Sequence, residues 1–145
     1  MTAATLTAID EADETAADHL REAWDHAYGR DPNPDTAYRE AVLAVEAALV
    51  PLTLPTNPRA RLGLARDHLR DAIRKWELVL PGKDALPTSV GVLVSMLTAL
   101  EEGQRSRHAG TPTARRQTLE ESQAAVHLAA TIVQWISSGV LVRKP

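Results

Sequence analysis

From Leu119 to Ile136 apolar side chains recur on two adjacent stripes: 119, 122 (a serine), 126, 129, 133 and 136, beside 125, 128, 132 and 135. Two such stripes make a helix apolar over more than half its circumference. The spacing therefore predicts an element buried on several sides, the central post of the fold. Thr118 followed by Glu121 predicts a capping box, in which each side chain takes a free backbone N–H of the first turn. Gly139 stands where such a helix would stop.

The same period recurs upstream. Ile9, Ala16, Leu20, Ala23 and Ala27 mark the core stripe of a first helix over Thr5–Tyr28, ended by Gly29 and the prolines of GRDPNPD. A second helix opens at Asn33 or Asp35, with Pro34 at its first position, and carries Tyr38, Ala41, Val42, Val45, Ala48 and Leu49. Pro51 and Pro55 define a connector, PLTLPTNP, whose leucines are expected to pack because an extended linker would be more polar. A third helix starts at Asn57–Pro58 and runs through Leu62, Ala65, Leu69, Ile73, Trp76 and Leu80 to Pro81–Gly82. A fourth begins at Thr88 or Ser89, carries Val90, Leu93, Leu97 and Leu100, and stops at Gly103. The tail VLVRKP either docks on the body or frays. No strand alternation of useful length is visible, so the pattern predicts an all-α fold. It is a single-domain bundle of about five helices over residues 1–145, with a short flexible N-terminus and C-terminal tail.

Composition narrows the chemistry. The chain lacks Cys, which excludes disulfides, thiolate catalysis and Cys-based zinc sites. It also lacks Phe, so its core is built from Leu, Val, Ala and Ile, and Trp24, Trp76 and Trp135 read as core on their apolar stripes. No apolar run approaches a membrane span and the N-terminus is acidic, unlike a signal peptide. A cytoplasmic location without membrane partners is the expectation.

Charge is unevenly spread. The net charge is −3, yet seven acids and one Arg lie between Asp10 and Asp25, and four Arg with no acid lie between Gly103 and Leu119. That polarity could steer a partner or pair two copies. In the basic segment, Arg105 and Arg107 precede His108. Arg holds a phosphate bidentately and a nearby His shuttles a proton at neutral pH, the two parts needed to cleave RNA without a metal. The plain alternative is a solvated loop. Arg115 and Arg116 extend the cationic stretch. Arg59, Arg66, Arg70 and Arg74 form a basic row beside the third helix's apolar stripe, able to track a phosphate backbone. The same row reads as an ordinary exposed face held by Asp67–Arg70 and Asp71–Lys75 pairs. His19, Glu22 and His26 share one side of the first helix but lack a further ligand, so a metal is not expected. His127 reads as a satisfied core residue. No glycine-rich phosphate loop, GxSxG or HExxH is present, and no cofactor is expected.

The block HLREAWDHAYGRDPNPDTAYREAVLAVEAALVPL, then RHAG, then EESQAAVHLAATIVQWI resembles the C-terminal domain of Abi-like (abortive-infection) bacterial proteins. That domain is itself similar to the HEPN superfamily of small helical domains. The resemblance runs from about His19 to Trp135. It implies a helical bundle, a homodimer, and a phage-defence or toxin–antitoxin setting with RNA or a nucleotide as ligand. Active HEPN members resemble metal-independent ribonucleases, with an Arg, four to six residues, then a His before the last long helix. His108 matches that His, but the matching Arg positions hold Glu101, Glu102 and Gly103. On this reading His108 is the catalytic acid or base and Arg105 or Arg107 holds the phosphate. Arg115, Arg116, Arg66, Arg70 and Arg74 bind the nucleic acid. The rival reading is a non-catalytic interaction or dimerisation module.

Overall fold

The structure is a computed structural model describing residues 1–82, 88–107 and 110–145. Among them are six α-helices and one short two-stranded sheet, so the chain is an all-α bundle with a small β appendage.

The first expected helix is two. Helix α1 (Ala3–Glu11) is capped by Thr2, and α2 (Glu14–Tyr28) by Asp13, whose carboxylate accepts the Ala16 N–H at 2.9 Å. Ala12 between them is extended (φ −73°, ψ 160°). An Asp that can take an unpaired first-turn N–H favours a new start over a continued helix. The apolar period runs through this break, which hides it in the sequence.

Helix α3 (Pro34–Thr53) begins as expected, with Pro34 leading and Asn33 accepting the Thr36 N–H at 3.2 Å. Pro51 does not end it. A proline in the last turn removes one helical bond without forcing the chain out, and Thr53 Oγ1 donates to the Leu49 carbonyl at 2.9 Å. Helix α4 is shorter than the sequence suggests, Leu62–Asp71, and its first N–H is taken by Glu46 Oε1 at 2.9 Å. A 3₁₀ turn, Ile73–Lys75, leads into β1 (Trp76–Leu78). Trp76 and Leu78 face inward while Glu77 is exposed, so this stretch alternates with period two. Leu80, expected in the core, is 60% exposed. Helix α5 (Thr88–Glu102) buries Val90, Leu93, Leu97 and Leu100.

Helix α6 (Leu119–Ser137) has the capping box of Thr118 and Glu121. It ends at Gly139, whose φ of +78° reverses the chain. The Val140 N–H reaches the Trp135 carbonyl at 2.8 Å and the Gly139 N–H reaches Ile136 at 3.3 Å, a Schellman closure. The tail then docks as β2 (Leu141–Arg143), antiparallel to β1, with Trp76 opposite Arg143 and Leu78 opposite Leu141. Leu141 is buried, and the Arg143 guanidinium lies 5.9 Å from the Trp76 ring.

The central place is shared. Helix α3 buries ten of its twenty residues and α6 seven of nineteen. Helix α3 packs against α2, α4 and α6, while α6 also receives α1, α2 and β2. The many alanines at these contacts allow close helix approach.

Candidate functional site

The basic segment is anchored by a buried residue, Gln117. Its backbone N–H donates to Asp35 Oδ1 at 2.7 Å, tying the segment to the first turn of α3. Its side-chain Nε2 donates to the Gly103 carbonyl at 3.1 Å, and its Oε1 accepts the Ser106 N–H at 3.0 Å. One side chain thus clamps both ends of the loop. Tyr38 fixes the end of α5 from the other side, donating from Oη to the Leu100 carbonyl at 2.6 Å. Burial, reinforced by the negative charge of Glu121 and opposed by Arg105, pushes the Tyr38 phenol up to about 12. Tyr38 therefore stays a neutral donor. A Cβ on Gly103 would stand 2.4 Å from Tyr38 Oη, so glycine lets the chain pass at this point.

Arg105–Arg107 forms a single 3₁₀ turn, and its two arginines line different cavities. Arg105 faces a cavity of about 340 Å³ with Glu101, Glu102, Thr111 and Thr113. Arg107 lines a second, of about 350 Å³, with Arg39 and Arg61, beside Gln104 and Ser106. Two carboxylates also border it, each accepting a backbone N–H and keeping its charge: Asp35 from Gln117, Glu46 from Leu62. Among the described residues Arg39, Arg61 and Arg107 form no ion pair, although all three are exposed at the rim. Three guanidiniums against two carboxylates leave the recess net cationic, which favours the entry of an anion. Arg39 and Arg61 were missed in the sequence. They lie far apart along the chain, on α3 and just before α4, and fall on no common stripe.

Three of the other candidate arginines, Arg66, Arg70 and Arg115, are held by carboxylates. Arg66 bonds Asp67 at 3.1 Å and Glu101 at 3.0 Å. Burial works against its charge, but these carboxylates outweigh burial and hold its pKa above the ordinary value. Arg66 is the guanidinium that the fold brings to Glu101 of α5. Arg70 bonds Asp71 at 3.1 Å and sits 3.3 Å from Asp67. The expected Asp67–Arg70 pair is present, while Asp71 turns to Arg70 instead of Lys75. Arg115 holds Glu121 with both terminal nitrogens, at 2.7 and 2.8 Å. Arg74 and Arg116 are exposed, and neither forms an ion pair among the described residues. Arg59 and Arg74 lie outside α4, in a turn before it and in the 3₁₀ turn after it, so no continuous basic row runs along one helix. His108 lies outside the described residues.

Two histidine expectations change. His19 leaves the His19–Glu22–His26 face and bonds Glu40 of α3 through Nδ1 at 2.5 Å, while His26 stays 3.5 Å from Glu22. Among the described residues no cluster of three or more His, Asp or Glu side chains is placed to hold a metal ion. His127 is exposed, not buried; its Nε2 is 2.8 Å from Tyr28 Oη, and Trp24 stacks on Tyr28 with ring centres 4.3 Å apart. Trp76 is fully buried, whereas Trp24 and Trp135 are half-buried.

Among the described residues no helix is long and apolar enough to cross a membrane. Comparison with protein-family models, curated proteins and solved structures finds no match.

Proposed function

We propose that the chain is a helical domain that binds the phosphate of RNA or a nucleotide in the cleft between α3 and the basic loop. The observation that supports this is the convergence of Arg39, Arg61 and Arg107 on one recess, where they outnumber its two carboxylates, Asp35 and Glu46. Guanidinium groups suit phosphate because their planar donors engage two oxygens at once. The recess has room for a phosphate and part of its ribose, and Ser106 and Gln104 add neutral hydrogen-bonding groups.

Within this proposal the domain is of HEPN-like, abortive-infection type, and a second copy completes it. The acidic α2 and the basic 103–119 segment supply opposite charges for such pairing. A metal-independent ribonuclease on this frame would use His108 to carry the proton and Arg107 to hold the phosphate. The Glu101–Arg66 pair at the position of the expected catalytic Arg favours binding over cleavage. The same neutralised pairs, together with that of Arg115, favour a second reading, a non-catalytic interaction module.

The test is an NMR titration with a short single-stranded RNA and, separately, a nucleoside monophosphate. Shifts confined to Arg39, Arg61, Ser106 and Arg107 support the proposal. Shifts elsewhere, or none at low salt, leave the interaction module. If the RNA is cut, His108→Ala abolishes cutting while leaving binding nearly intact.

A further inference from the structure

A cavity of about 670 Å³ lies between the second half of α3 and the connector that leads to α4. Ligand pockets span about 300–1,000 Å³, so this one is of ligand size. Its floor is Leu43, Ala47 and Val50, a run at helical spacing on a different face of α3 from the Ala41–Val45–Leu49 core stripe. Leu54 and Pro55 of the connector add to this apolar lining. At the α4 end the lining turns cationic, with Arg59 and Arg61. Among the described residues neither arginine forms an ion pair. The one bordering acid, Glu46, accepts the Leu62 N–H and keeps its charge, so the two guanidiniums outnumber it; His19, also in the lining, is paired with Glu40.

An apolar trough whose polar end holds two guanidiniums against one carboxylate is complementary to a molecule with a hydrocarbon body and one anionic end. We infer that this cavity binds a small amphipathic carboxylate, its alkyl chain along Leu43, Ala47 and Val50 and its carboxylate held by Arg59 and Arg61. Burial of the chain supplies the affinity, and the guanidinium–carboxylate bonds fix its direction. A neutral or cationic head group would leave those guanidiniums unmatched. The cavity adjoins the phosphate cleft, and Leu43, Glu46 and Arg61 border both. Arg59 reports on this cavity alone and Arg107 on the cleft alone.

The experiment is titration of the full chain with decanoate below its micelle concentration, followed by calorimetry and by amide NMR. Decan-1-ol and decyltrimethylammonium serve as comparators. The expected result is one saturable decanoate site, with shifts at Ala47, Val50 and Ala60. Arg59→Ala weakens it about tenfold, and decan-1-ol binds about tenfold more weakly than decanoate. Ala47→Phe, which fills the trough, removes binding, and Arg107→Ala leaves it unchanged. Arg59 lies in an exposed turn, so its variant separates loss of binding from loss of folding if Ala47→Phe melts early. No saturable binding, equal affinity for all three head groups, or shifts at Arg107 in place of Ala47 would each overturn the inference.

Discussion

Arg115 and Glu121 form a two-point pair, Nη1 to Oε1 at 2.7 Å and Nη2 to Oε2 at 2.8 Å, while the same carboxylate receives the Thr118 N–H at 2.8 Å. The last arm of the basic loop is thereby fastened to the first turn of α6. The capping box and the loop share one charge, so Arg115 acts as a structural strut before it is available to any ligand.

That sharing predicts an acid-sensitive joint. The Arg115 hydrogen bonds, aided by the Thr118 N–H and hydroxyl and opposed by burial, lower the Glu121 carboxyl from 4.5 to about 2. A lowered folded-state pKa means the stabilisation is complete above 4.5 and is lost as the pH falls through about 2. Carbon-detected NMR should find the Glu121 carboxyl titrating near the lower value. Arg115→Ala should bring it back toward 4.5 and reduce the acid-side slope of the melting temperature. An unmoved titration would show that Arg115 does not hold it.

Tyr38→Phe keeps the buried ring but leaves the Leu100 carbonyl without its donor. Leaving a buried acceptor unpaired costs about 1–3 kcal/mol, so urea unfolding should show a loss in that range. Ultraviolet titration of the parent should place the Tyr38 phenol near 12. Because the phenol is raised in the folded state, its contribution is intact below 10 and lost as the pH climbs toward 12.

Ile132 is fully buried on α6. Replacing it with Ala removes burial and opens a cavity, a loss of about 2–4 kcal/mol by denaturant unfolding. A loss near zero would contradict the placement of α6 in the core.

Gly139 stands at φ +78° with open space where a Cβ would be, so Ala there meets strain without a clash. The left-handed region costs a non-glycine residue about 1–2 kcal/mol. Gly139→Ala should destabilise by about that amount and loosen β2, seen as faster amide exchange at Val79 and Lys144, whose N–H groups bridge the two strands' ends.

Helices with long stripes and good caps were legible in the sequence. The Thr118–Glu121 box, Pro34 at the start of α3 and Gly139 after α6 each follow from local chemistry. What escaped was non-local or locally ambiguous. Trp76 fits a helical stripe as well as a strand, and only pairing with Arg143, remote in sequence, decides between them. Ala12–Asp13 interrupts a period that continues unbroken on either side. At the site, the segment rich in Arg was visible, but its partition was not. Arg105 and Arg107 diverge because a 3₁₀ turn separates them, Arg66 and Arg115 are consumed by carboxylates, and Arg39 and Arg61 join Arg107 only through the packing of α3 against α4.

The claim that the Arg39–Arg61–Arg107 cleft receives phosphate is tested most directly by the salt dependence of RNA binding. Fluorescence anisotropy of a labelled single-stranded RNA should be measured at several salt concentrations for the parent and for Arg39→Ala/Arg107→Ala. Each lost phosphate contact on a single strand should flatten the slope of log K against log salt by about 0.7. The parent should bind measurably at low salt, and the double variant should bind more weakly with a slope shallower by about 1.4. Parent-like affinity and slope in the double variant, or no binding by the parent at low salt, would contradict it.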